Sequence, residues 1–153
     1  MRHYTQPPPS VDKQFALLKI RNPSGKGAVR HGKLTWHWKV QPTPISRAYD
    51  GRIEYSMHSA PKVFIESPNL LEIANGRRIP HLYNHERIQI CLYLPNAGEW
   101  SSHKFIADTI VPWTALWLLF FEEWLISDEW KGGGVHPGEA GKLEDVLASA
   151  NDY

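Results

Sequence analysis

Cys91 is the single cysteine of a 153-residue chain, and its neighbourhood is unusually specific. A thiolate is the reactive form of such a side chain, and its reactivity depends on what surrounds it. In the stretch from Pro80 to Trp100, PHLYNHERIQICLYLPNAGEW, His81 stands ten residues before the thiol and Trp100 nine after it, with Ile90 and Leu92 as direct neighbours. The bland reading is a small core residue, since free cysteine is among the most buried residue types. Zinc is a further alternative, because His81, His85, Cys91 and His103 have suitable side chains. Structural zinc sites, however, generally use paired ligands at short spacing on both sides, and only His81 and His85 make such a pair.

The elements that must position these groups follow from hydrophobic period. Ser10 suits the N-cap of a helix that places Val11, Phe15 and Leu18 on one face. A Gly- and Pro-containing loop from Asn22 to Gly32 then precedes KLTWHWKV, where Leu34, Trp36, Trp38 and Val40 alternate with polar residues as in a half-buried strand. A second alternating run covers Tyr49 to His58, and a third, Lys62 to Glu66, lies between Pro61 and Pro68. The short connections predict an antiparallel meander. Asn69 to Arg87 reads as one long irregular connection, of the kind that is usually functional in a compact domain. Ile88, Ile90, Leu92 and Leu94 alternate with Arg87, Gln89, Cys91 and Tyr93, which places the sulfur on the face opposite the buried residues and predicts that it is reachable.

Beyond Trp100, Ser102 is a candidate cap for a short helix through Ile110, and Pro112 suits a kink or the first position of a second helix. Trp113, Leu116, Trp117, Phe120, Phe121 and Trp124 recur at helix period, an aromatic stripe that reads as core packing. Glu122, Glu123, Asp128 and Glu129 read as the solvated end of that helix, and Arg77, Arg78 and Arg87 as solvated loop residues or a grip for an acidic tail or phosphate. Lys131 to Gly134 reads as a flexible break and Glu139 to Ala150 as a weak terminal helix.

Composition bounds the partners. Seventeen basic residues against 16 acidic ones give a formal charge of +1, so no global field draws the chain to nucleic acid or acidic lipid. The apolar run from Ile110 to Phe121 is shorter than the roughly 20 residues of a membrane span. A lone thiol and an N-terminus without the apolar segment of a signal peptide predict a reducing cytoplasm. The length suits a single domain over 1–153, its core at about 10–130, needing no metal or disulfide for stability.

The segment around the cysteine resembles the catalytic segment of ubiquitin-conjugating enzymes, where a His-Pro-Asn turn precedes an Ile-Cys-Leu by this interval and a tryptophan follows. A closer likeness, over about Leu34 to Trp130, is to the bacterial ubiquitin-conjugating-like proteins of short type II CBASS antiphage operons. Four patterns in this order carry it: QPTPISRAY, PHLY, ICLYLP with GEW, and the TIVPWTALWLLFFEEWL helix ending at Trp130. The resemblance implies an α+β fold of ubiquitin-conjugating type, with an N-terminal helix, a four-stranded antiparallel meander, an active-site flap and a long C-terminal helix.

It also implies a mechanism. Cys91 becomes the nucleophile that accepts the C-terminal glycine of a partner protein as a thioester and passes it to an amine. The partner expected from the operon is a cGAS-like nucleotidyltransferase, and the acceptors are lysine-bearing targets. A thiolate leaves as well as it attacks, so the acyl group stays transferable. His81 matches the family histidine, whose role is to hold the flap through backbone hydrogen bonds. The family asparagine, eight residues before the cysteine, is replaced here by Tyr83, with Asn84 one residue late and the His-Pro order reversed as Pro80-His81. Either Tyr83 or Asn84 has a side chain able to donate to a tetrahedral oxyanion.

A narrow groove for a glycine-ended tail is expected between Tyr83, Tyr93, Pro95, Asn96 and Trp100. No cofactor is implied, and no adenylating domain or glycine-rich nucleotide loop is present, so activation of the glycine falls to another protein or an already activated donor. The rival reading is a catalytically silent variant that keeps the fold and binds its partner noncovalently.

Overall fold

The computed structural model describes residues 5–92 and 100–132. Helix α1 (Val11–Arg21) starts where Ser10 Oγ accepts the Lys13 amide at 3.2 Å, with Asp12 in its first turn and Lys19 and Arg21 in its last, each sign complementing the helix dipole. Its buried face is Val11, Gln14 and Leu18, and Gln14 is the unexpected member. The fully buried amide donates to the Lys104 carbonyl at 2.9 Å and accepts the Ile106 amide at 2.9 Å, so both ends are paired as burial demands.

A six-stranded antiparallel sheet follows, in the order β1-β2-β3-β4-β6-β5. Four strands were expected. The first addition is β1 (Lys26–Arg30), inside the segment read as a loop, paired with β2 (Lys33–Val40) across a two-residue turn whose His31 and Gly32 have φ of 50° and 71°. Its glycines hid it from a pattern reading: a Cβ at Gly25 or Gly27 would collide with the Trp36 indole, so the bare backbone is what lets that ring lie across the hairpin. Strands β2 and β3 (Tyr49–Ser56) alternate as expected, burying Leu34, Trp36, Trp38 and Val40 on one and Tyr49, Ile53 and Tyr55 on the other. Val63 and Ile65 of β4 (Lys62–Ser67) extend the same core.

The segment from Asn69 to Arg87 is less irregular than its composition predicts. Asn69 caps a one-turn helix, α2 (Leu70–Ile73), and β5 (Leu82–Asn84) pairs with β6 (Gln89–Ile90) as a small hairpin at the sheet edge. Ser102 caps no helix. The chain instead makes a turn, a short 3-10 helix over Ile106–Asp108 and then α3 (Ile110–Ser127), with Pro112 in its first turn. Alpha-helical and 3-10 turns together span 22 residues, Ile106–Ser127, long and apolar enough by length and composition to cross a membrane, where the expected run was too short. One face of that stretch lies in the core.

That face overlaps the expected one only in part, sharing Trp117, Phe121 and Trp124. It consists of Ile110, Thr114, Trp117, Leu118, Phe121 and Trp124, whereas Trp113 and Phe120 are only partly buried and Leu116 is 48% exposed. An almost wholly apolar helix offers two overlapping stripes at the same period, and the period cannot choose between them. The proposed break from Lys131 to Gly134 and the terminal helix from Glu139 to Ala150 lie wholly or partly outside the described residues.

Candidate active site

The hairpin of β5 and β6 delivers Cys91 to its place. Ile90 pairs with Val63 of β4 on one side and Leu82 of β5 on the other. One residue on, the Cys91 amide donates to the His81 carbonyl at 2.8 Å, and the Trp117 indole donates to the same oxygen at 3.3 Å. A single main-chain carbonyl therefore ties the cysteine to the flap and the flap to α3. His81 holds a left-handed backbone (φ 54°), uncommon outside glycine and tolerated here because the surrounding bonds fix it.

The His81 ring is buried, 5.0 Å between centroids from Trp130, which also lies 5.3 Å from Trp117. Trp130 reaches the site because α3 ends at Asp128 in a left-handed cap (φ 61°) that turns the chain back. Arg77 braces that turn. Its guanidinium donates to Leu125 O at 3.2 Å and to Asp128 Oδ1 at 3.3 Å and lies 4.5 Å over the Trp124 ring, a cation placed where helix carbonyls are unpaired. Arg87 lies 4.8 Å over the Phe64 ring, which Arg52 also overlies at 4.4 Å. These two arginines of the flap region are thus engaged in structure rather than standing as solvated loop residues. Glu122 likewise departs from the expected solvated helix end, since it accepts the Ser46 and Tyr49 hydroxyls at 2.7 and 2.8 Å.

The expected exposure of Cys91 is not met: the residue keeps 7% of its accessible surface. Alternation reports the face a residue takes and not what covers that face, and β6 is only two residues long with a left-handed Ile88 (φ 51°) just before it, so the pattern could not report the exposure of residue 91. The two oxyanion candidates are separated. Asn84 Oδ1 accepts the Arg87 amide at 2.9 Å and closes the hairpin turn, while Tyr83 is 40% exposed and walls a groove of about 310 Å³ with Pro61, Lys62, Ile90 and Leu92. Trp100 is a core residue: 9% exposed, it donates to Thr109 Oγ1 at 3.1 Å and meets Tyr55 edge-on at 5.7 Å. Tyr93, Pro95 and Asn96 lie outside the described residues. His103 is bonded at 3.1 Å to Gln6 O, and among the described residues no three His, Cys, Asp or Glu side chains are grouped as a metal ion would need.

This geometry belongs to a stretch that a protein-family model recognises. The model described as type II CBASS E2 protein matches residues 14–137, which include both strands of the flap, Cys91 and α3. The chain belongs to the type II CBASS E2 protein family. No curated protein matches it. Membership gives this E2-like chain a conjugating-enzyme-like, ubiquitin-transfer-related role within CBASS, with partners in the operon, and its helix, antiparallel sheet and C-terminal helix are consistent with an E2-like fold.

Two contributors to the site escaped the sequence reading. Trp117 was assigned to core packing alone, although a buried indole N–H requires an acceptor, a requirement that could have pointed to a nearby carbonyl. Lys62 was read only as the first residue of a strand.

Proposed function

We propose that this E2-like chain is a cysteine-dependent acyl carrier, in which Cys91 forms a thioester with the C-terminal glycine of a partner protein and passes it to an amine. The observation that carries the reading is the tie between Cys91 and the His81 carbonyl, which holds the chain's one thiol between Ile90 and Leu92, two residues that line a groove a slender tail can enter. The partner is the operon's cGAS-like nucleotidyltransferase, and the product an amide on a target lysine. In this reading His81 acts through its main chain, and Tyr83 is the oxyanion donor, because Asn84 is held in the hairpin turn by the Arg87 amide bonded to its Oδ1 while the Tyr83 side chain stands at the groove.

Incubation with the activated nucleotidyltransferase tests it. A thiol-sensitive adduct on nonreducing gels is expected, absent in Cys91→Ala and replaced by a slower-cleaving ester in Cys91→Ser, since an alkoxide leaves less readily than a thiolate. An adduct equally strong in Cys91→Ala overturns the proposal.

One observation favours a second reading. The 7% exposure of Cys91 suits a silent binding module whose thiol is core. In that case Cys91→Ala leaves partner binding and antiphage activity intact, and a small alkylating reagent labels the native protein no faster than a buried thiol.

A further inference from the structure

We propose that Lys62 is an acyl-acceptor site in cis, its amine taking the acyl group from Cys91 so that the chain conjugates the partner's tail to itself. This rests on the thioester reading of Cys91. The first support is register. Strands β4 and β6 pair Val63 with Ile90 and Phe64 with Gln89. Continued by one residue, the same antiparallel register sets Lys62 opposite Cys91, and directly opposed residues have Cβ atoms about 5 Å apart. On its other side the Cys91 amide bonds the His81 carbonyl, which extends the Leu82–Ile90 register by one residue.

The groove is the second support. Lys62 walls it together with Tyr83, Ile90 and Leu92, the last two being the residues on either side of the cysteine. Cys91 itself does not line the groove, so a tail lying there reaches the sulfur past Ile90 and Leu92, with the Lys62 amine on the same wall.

Charge pairing is the third. On this face Lys33 pairs with Glu54 and Lys39 with Asp50. Glu54 is the cross-strand neighbour of Lys62 on β3, but it is engaged by Lys33 and Arg52. Among the described residues Lys62 has no ion pair. An ion pair would hold the amine against a carboxylate, whereas Lys62 can turn its amine toward the groove that it lines.

The step balances without a further reagent. Neutral Lys62 Nζ attacks the thioester carbonyl carbon, the N–C bond forms, the C–S bond breaks, and Cys91 departs as thiolate while nitrogen gives its proton to the sulfur or to water. An amide and a free thiol result. Holding both groups on neighbouring strands makes the transfer unimolecular, and well-oriented pairs of this kind reach effective concentrations on the order of 10⁵ M or more.

A synthetic peptide ending in Gly-Gly as an alkyl thioester tests this, because it loads a thiol by exchange and needs no activating enzyme. Intact mass of the full chain is followed with and without hydroxylamine, which cleaves thioesters and spares amides. The wild type is expected to gain one peptide mass that is first labile and then resistant, mapping to Lys62. Lys62→Arg keeps the labile adduct at Cys91 and loses the resistant one at least tenfold, while Cys91→Ala gains neither. A labile adduct that never becomes resistant, or a resistant one on another lysine, overturns the role of Lys62 and leaves the thioester reading standing. Resistant product at Lys62 that is undiminished in Cys91→Ala does the same. No labile adduct on folded wild-type protein overturns both.

Discussion

The amide of Cys91 and the carbonyl of His81 meet at 2.8 Å, and that carbonyl is shared with the Trp117 indole at 3.3 Å. Ten residues of sequence separation thus become one hydrogen bond, and the alignment of the thiol is inherited from the long helix. Trp117→Phe keeps an aromatic ring beside Phe121, whose centroid is 5.8 Å away, and deletes the indole donor together with part of the buried ring packed near Trp130. The expected cost is about 2 kcal/mol, read as a melting temperature lower by roughly 4–8 °C, with slower loading of Cys91. Unchanged loading would mean that the helix does not set the thiol's position.

Tyr83 and Asn84 separate cleanly by substitution. Tyr83→Phe should slow single-turnover transfer to a free amine by roughly ten- to a thousandfold with little change in melting, because the side chain is 40% exposed. Asn84→Ala removes the acceptor of the Arg87 amide, so it should lower stability by about 1 kcal/mol and affect transfer much less. The reverse pattern would move the oxyanion role to residue 84.

Gln14→Ala orphans two main-chain groups at once, the Ile106 amide and the Lys104 carbonyl. A loss on the order of 2–4 kcal/mol is expected, visible as a lower urea midpoint at unchanged slope. A loss below 0.5 kcal/mol, about what a surface substitution costs, would show that water replaces the amide without penalty.

Alkaline stability reports on Tyr49. Burial, then its hydrogen bond to the Glu122 carboxylate, pushes the phenol well above its ordinary value, and burial pushes Tyr55 up as well. A raised folded value means that the contribution is complete below the unfolded tyrosine range, near pH 10, and declines as pH climbs above it. Stability measured from pH 8 to 11.5 should therefore fall above about pH 10, and Tyr49→Phe should flatten that fall. An identical slope in the variant would assign the decline to other groups.

Much of the fold was legible because its pattern is regular. Ser10 marked α1, and Trp36 and Trp38 alternating with polar residues marked β2 to the residue. What escaped was decided by tertiary partners. Gly25 and Gly27 look like loop residues until Trp36 is placed over them, and Leu116 looks like core until α3 is rotated onto the sheet. At the site, the spacing of His81 and Cys91 singled out residues that are in fact bonded, but the exposure of Cys91 was misjudged because alternation reports a face and not what covers it. Lys62 was invisible for another reason: cross-strand register is a relation between distant segments, and no local pattern records it.

The buried amide of Gln14 also bears on synthesis. Its two partners lie 90 and 92 residues further along the chain. At about 5–20 residues per second a ribosome takes roughly 5–20 s to cover that distance. Helix α1 can be formed and β1 and β2 paired well before then, yet the glutamine has nothing to bond but water until residue 106 emerges. The first helix to be made is therefore among the last to be locked, and the nascent chain carries an unfinished seam until just before α3 is made.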